Sequence, residues 1–317
     1  MVTRIGSHAQ SQIVLQATLR TQARLFDSQT QVATGKKTQT FSGLAGDAQR
    51  LLNAKADLAK TDQFLENIEI AEQRLDMMLF SVDRVDEVAR EMRSLFQSAR
   101  NGDTANVLDV PNMAEQFRDL VVDLLNAKDN ERFLFSGGKT DTKPVDLGNG
   151  IYTAPAPPPY DDGPDTGYYE GDDTVNSVRI DNSFVVSYGV LANADPFEKV
   201  IRALDNIAQM SFTEPPTADE LAVVEAAITE LNEAIEDNGV NPTLQNIASG
   251  IALDQNLIAE QRSKHRSVKV FLETKIGDIE NVNTAEAVAK LNFEQVQLEA
   301  SFQVISRIQR LTLNTFF

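Results

Sequence analysis

The sequence predicts a mainly α protein: long helices forming a coiled-coil rod or bundle, paired N- and C-terminal helices, and a small inserted β-rich central domain. Three observations carry this reading. Heptads run unbroken along the first arm, apolar stripes at helical spacing occupy both ends, and the composition changes abruptly between them. All five tyrosines lie between Tyr152 and Tyr188, and six of the eleven prolines between Pro144 and Pro164. Gly148, Gly150, Gly163, Gly167, Gly171 and Gly189 add to the break, which marks an irregular or β module between helical segments.

Near the N-terminus, Leu15, Leu19, Ala23, Phe26 and Ala33 follow helical spacing, and Gly35 stops the pattern. Ile68, Leu75, Val82, Ala89 and Phe96 then recur every seventh residue, interleaved with Ala71, Met78, Val85, Met92 and Ala99. A 3.5-residue period keeps one stripe on a partner helix, so this reads as a coiled-coil seam. The helix is expected from near Asp47 to Asn101-Gly102, roughly 80 Å at about 1.5 Å per residue. A second helix should follow Pro111, with Met113, Phe117, Leu120, Leu124 and Ala127 on one face.

Arg132-Phe-Leu-Phe-Ser-Gly-Gly138 suggests a short strand and turn, and Val178 to Tyr188 a hairpin around Asp181-Asn182. Helices should resume at Asp195-Pro196, read as an N-cap followed by Pro at the first helical position. Thr217-Ala-Asp-Glu220 is a capping box for the next helix, with a stop expected at Asn238-Gly239. A long helix should run from Pro242 towards Ile279. Ile251, Ile258, His265, Leu272 and Ile279 form one heptad row, while Asp254, Gln261 and Lys275 interrupt its companion. At the C-terminus, Ala285, Ala289, Phe293, Val296, Ala300, Val304, Ile308 and Leu311 step by three or four, and Leu291, Leu298, Phe302 and Ile305 form a second row. Two rows are more apolar surface than a solvated terminal helix carries, so cover by the N-terminal helix and by neighbouring subunits is expected. The candidate assembly residues are therefore Leu15, Leu19, Phe26, Phe293, Val296, Val304, Ile308 and Leu311.

The net charge of −18 disfavours phosphate backbones and anionic lipid as partners. No apolar run is long enough for a membrane span. Met1 to Gln12 lacks a secretory apolar core, so any export is expected without a cleaved signal. Without cysteine there are no disulfides or thiol nucleophiles. Ser136-Gly-Gly-Lys-Thr140 mimics the end of a P-loop, but Phe133 stands where the first Gly belongs. Counted from Asp161, a calcium loop would need Gly at its sixth position, and Thr166 is there. His8 and His265 have no cluster of partners in sequence, so no catalytic residue, metal or cofactor is expected. Met77, Met78 and Met92 read as core. Arg4, Arg20, Arg24, Lys36 and Lys37 make the first arm basic against an acidic remainder.

Four segments, Val32–Lys37, Phe41–Ala48, Asn130–Thr140 and Ile308–Phe317, together resemble the flagellin family of bacterial flagellar axial proteins. Val32-Ala-Thr-Gly-Lys-Lys37 falls where the family has its helix-ending turn, and Phe41-Ser-Gly-Leu-Ala-Gly-Asp-Ala48 resembles its Asp/Ala-rich stretch, with paired aspartates reduced to Asp47. Ile308 to Phe317 resembles the short apolar tail. Asn130 to Thr140, with Arg132, Phe133, Leu134, Phe135, Ser136 and Gly137, is similar to a segment of the hook-associated members; the Phe-Asn-Gly motif of filament members is missing. The resemblance implies residues 1–45 and 280–317 as the inner assembly domain, 46–140 and 195–279 as the rod, and 141–194 as the outer module. It also implies a structural role outside the cell, export through the flagellar channel, and partners among further copies of the chain, hook-associated protein 1, flagellin and an export chaperone.

Overall fold

The computed structural model describes residues 2–100, 109–153, 164–213 and 216–313. The chain divides into two compact units, one formed by residues 1–62 with 267–317 and one by residues 63–266.

The first unit contains α1 (Val2–Thr34), the start of α2 (Ala48–Ala99), the end of α6 (Leu244–Glu280) and α7 (Thr284–Leu313). Gly35 takes a left-handed φ of +70°, which lets the chain leave α1 while its N–H still bonds Gln31 O. The backbone then pairs antiparallel with the α6–α7 connection: Gly35 O accepts from Val282 N–H, and Lys37 N–H bonds Glu280 O, both short of 3 Å. The basic residues here complete the joint. Lys36 and Lys55 both reach the Glu280 carboxylate, and Lys37 Nζ donates to Asp278 O at 2.5 Å. Asn283 caps α7, its Oδ1 accepting from Ala285 N–H at 3.1 Å.

In the second unit, the ten expected α2 heptad residues from Ile68 to Ala99 are all buried, as the 3.5-residue period requires. α6 runs antiparallel beside this part of α2, with Arg262 bonded to Glu72 and Gln255 to Asp76. The core is completed by α3 (Val110–Leu125), α4 (Asp195–Ala208) and α5 (Ala218–Ile235). The Thr217–Glu220 capping box forms with both reciprocal bonds. α5 stops at Ile235 rather than at Asn238-Gly239, because Glu236 already has extended backbone and the Asn-Gly pair serves the following turn. At α4 the N-cap is Ala194, not Asp195, whose carboxylate instead pairs with Lys199 one helical turn on.

The central insert contains one two-stranded hairpin, β3 (Ser177–Arg179) against β4 (Val185–Ser187) in the register Val178↔Val186. Apart from an antiparallel bridge between Val145 and Tyr169, the rest of its described backbone is turns and irregular segments. Their N–H groups are satisfied by side chains: Asn149 Oδ1 accepts from Ile151 and Tyr152, and Asp165 Oδ1 from Gly167. The insert is thus held by polar turn chemistry more than by a sheet.

Candidate assembly surfaces

α1 and α7 form an antiparallel pair. Ser28 Oγ donates to Glu294 Oε2 at 2.6 Å, both side chains buried. One heptad further out, Thr21 and Ser301 line the same shallow pocket. The residues turned inward on α1 are Val14, Thr18, Thr21, Leu25, Ser28 and Val32; on α7 they are Ala287, Leu291, Glu294, Leu298, Ser301 and Ile305. Both sets step by four and three throughout, a coiled-coil seam in which five of the twelve positions are hydroxyl or acidic residues. Thr18 and Thr21 satisfy their hydroxyls on the carbonyls of Val14 and Ala17 in their own helix.

The expected apolar stripes are not the surfaces that meet. Leu15 and Leu19 are each 55% exposed, Phe26 69% and Phe293 68%, with Val296 and Val304 similarly open. Ile308 and Leu311 continue the row beyond the described side chains. On α7 the pair uses Leu291, Leu298 and Ile305 from the second row, and Phe302 of that row also stays exposed. The pair is therefore inverted: its most apolar rows face outward and its mutual face is partly polar. Hydrophobicity ranking misses the seam for that reason, and only the four–three spacing marks it.

The Arg132–Gly137 segment does a different job. β1 (Lys128–Asp129) and β2 (Arg132–Phe133) make a small hairpin, with Arg132 exposed and Lys128 Nζ 4.6 Å from the Phe133 ring centre. Leu134, Phe135 and Ser136 turn inward and are buried. Phe135 meets Phe197 of α4 edge-on, and its carbonyl accepts from Ala192 N–H at 3.0 Å. Ser136 O accepts from Asp172 N–H, while the Asp172 carboxylate returns to Gly138 N–H at 2.7 Å and Thr174 N–H at 2.9 Å. Those backbone bonds hold the Asp172 carboxyl below its ordinary range. Gly137 has φ +69°, and a Cβ there would lie 2.3 Å from Asp172 O. The motif thus fastens the insert to the helical unit and requires glycine to do so.

Residues 5–140 match the bacterial flagellin N-terminal helical region. Over this region, somewhat less than half of the chain, the sequence is similar to the flagellin family. The matched span ends inside the Ser136–Thr140 turn, where the insert begins. Among solved structures, a protein of Vibrio parahaemolyticus described as a flagellar hook-associated protein is 20% identical, with TM-score 0.57 over 74% of this chain and 97% of its own. FlgL of Xanthomonas campestris is 12% identical, with TM-score 0.55 over 71% of this chain and 99% of its own. At these identities the likeness is one of fold. No curated protein sequence matches the chain significantly.

Outside the flagellin-matched span, α4 carries a feature with no sequence signal. It is buried on all sides yet holds Glu198, Lys199, Arg202 and Asp205. Arg202 lies between Glu230 at 2.7 Å and Glu198 at 3.3 Å; Lys199 bridges Asp195 and Glu233; Asp205 accepts from Arg118 and from the Tyr152 hydroxyl. Burial pushes the Glu198 carboxyl up to about 7, against the attraction of Arg202 and the Asp165 N–H bond. Asp195–Lys199 and Glu198–Arg202 pair within α4, while Glu230 and Glu233 of α5, Arg118 of α3 and Tyr152 of the insert reach in from outside, so the cluster ties α4 to its neighbours. His265 is likewise structural, with Nε2 2.6 Å from Ile180 O and its ring against Phe64.

Proposed function

We propose that this chain is a structural subunit of the bacterial flagellum, of the hook-associated protein 3 kind that joins hook to filament. The observation that carries the reading is the inverted terminal pair in a chain similar to the flagellin family: exposed Leu15, Leu19, Phe26, Phe293, Val296 and Val304 are surface that a subunit covers on assembly. The resemblance of Arg132–Gly137 to the hook-associated branch, and the fold shared with FlgL, support the junction role over that of a filament subunit. Residues 1–45 and 280–317 would form the inner assembly domain, 46–140 and 195–279 the rod, and 141–194 the outward module. Partners would be further copies, hook-associated protein 1 and flagellin, with a chaperone before export, and the location the flagellum outside the cell. Flagellins are structural proteins, and we read the chain as non-catalytic. Deleting the gene should leave hooks in place while flagellin accumulates in the medium, and a plasmid copy should restore filaments. Normal filaments in the deletion strain would sink the junction role.

A further inference from the structure

We propose that Asn238 is a self-modifying residue: in the folded chain the backbone nitrogen of Gly239 attacks its side-chain amide, ammonia leaves, and the residue ends as aspartate or isoaspartate. The site is the turn between α5 and α6, apart from the surfaces described above, where residues 236–240 are all exposed to water. Three groups there are arranged for the reaction. The Gly239 N–H donates to Asp237 Oδ1 at 2.8 Å, so a carboxylate stands where it can take the proton from the attacking nitrogen. Asn238 Oδ1 accepts from Val240 N–H at 2.9 Å and Asn241 N–H at 3.0 Å, and this pair of donors stabilises the negative charge that develops on the oxygen during attack. Gly239 has φ +71° and open space where a Cβ would sit, so no side chain of its own shields the nitrogen.

The reaction needs only water. The Gly239 nitrogen bonds to Asn238 Cγ while its proton passes to Asp237. The Cγ–Nδ2 bond then breaks, and Nδ2 takes that proton and departs as ammonia, leaving a cyclic imide. Water opens the ring at Cγ to give aspartate, or at the main-chain carbonyl of residue 238 to give isoaspartate. Isoaspartate carries the main chain through Cβ, which lengthens the turn and draws the Val240 and Asn241 N–H groups from their acceptor. Asn241, whose Nδ2 lies 3.4 Å from Glu233 Oε2 on α5, is displaced with them. Asn149-Gly150 is the same dipeptide with the same kind of donor pair on Oδ1, from Ile151 and Tyr152, but its leaving nitrogen is held. Asn149 Nδ2 donates to Gly167 O at 2.8 Å and to Glu170 Oε1 at 2.6 Å. Departure of ammonia breaks both bonds and leaves a carboxylate facing Glu170. The fold therefore opens one Asn-Gly pair to conversion and protects the other. A third pair, Asn101-Gly102, lies outside the described residues.

The test keeps the full chain in mildly alkaline buffer, folded and in urea, and follows each pair by peptide mass spectrometry with isoaspartate assigned from its fragment ions. In urea both dipeptides lose their surroundings and should convert at similar rates. Folding should slow Asn149 by about tenfold to a hundredfold, the rate equivalent of two surrendered hydrogen bonds, and leave Asn238 at least as fast as in urea. Asp237→Asn keeps an acceptor for the Gly239 N–H but cannot take its proton, and should slow Asn238 in the folded chain by about tenfold. Asn238 converting more slowly folded than unfolded would overturn the proposal, and so would a folded Asp237→Asn chain that converts at the wild-type rate. Circular dichroism establishes that the variant is folded, and the wild-type comparison stands without it.

Discussion

At the scale of single residues, glycine and one buried carboxylate make the sharpest demands. Gly137 combines a left-handed φ with backbone 2.3 Å from where a Cβ would sit, whereas Gly250, inside α6, has open space around it. Gly137→Ala should therefore cost about 1–3 kcal/mol, since the strain adds to the displaced Asp172 contact. Gly250→Ala should stabilise by roughly 0.5–1 kcal/mol, because it removes backbone freedom from a helix interior. Urea unfolding of the two variants reads both signs. Glu198 supplies a pH test. Its folded carboxyl titrates at about 7, above the unfolded value near 4.5, so the folded state binds the extra proton between these limits. Stability from this group is thus greatest at the acid end of the window and is lost as pH rises through 7. Glu198→Gln should flatten that slope, with a difference from wild type of order 1–3 kcal/mol between pH 5 and 8. Melting temperatures across that range would show parallel curves if the carboxylate were indifferent to burial. Glu198 was not legible as a special residue in the sequence: it stands in an ordinary helical pattern, and its burial comes from α4 being enclosed by three-dimensional neighbours.

At the scale of elements, the two coiled coils show what periodicity reveals and what it hides. The α2 seam was legible because its heptad positions are its apolar positions. Leu75→Ala should cost about 2–5 kcal/mol, as a fully buried leucine leaves a cavity, whereas Phe80→Ala on the same helix, 68% exposed, should stay within about 0.5 kcal/mol. The α1–α7 seam was not legible, because Thr18, Thr21, Ser28, Glu294 and Ser301 occupy positions that a hydrophobicity pattern assigns to the outside. Its polar pair should behave accordingly. Ser28→Ala leaves the Glu294 carboxylate buried without its donor and should destabilise the helix pair. Replacing both, as Ser28→Ala with Glu294→Leu, should recover the loss and exceed wild type. Hydrogen exchange along α1 and α7 would measure it, and a double variant less protected than the single one would contradict the account. The insert lies between these cases. Its hairpin was visible from alternation around Asp181-Asn182, but the turns that dominate it depend on which carboxylate finds which N–H, a matter of tertiary placement.

At the scale of the molecule, fully buried apolar side chains are distributed unevenly, and this sets which part of the chain resists opening. Among the described residues of the first unit, only Leu51, Ala54, Leu272 and Ala287 reach that state; the remainder of the core, including the whole α2 heptad, belongs to residues 63–266. Local opening free energy follows such burial, so the terminal pair should open far more often than the second unit. The joint that holds it is also acid-sensitive. The Lys55 and Lys36 ammonium groups lower the Glu280 carboxyl, which means their contribution is present above the ordinary carboxylate range and is lost as pH falls through the depressed value. Dilute chain exposed to protease at neutral pH should therefore be trimmed at both ends to a core retaining residues 63–266, and trimming should accelerate as pH falls below the ordinary carboxylate range. In assembled material the same stripes are covered, and both ends should survive protease that removes them from the free chain. Mass spectrometry of the two digests decides it. Ends that resist protease equally in dilute solution would mean the polar seam suffices to close the pair, and the exposed rows of Phe26 and Phe293 would then need a purpose other than assembly.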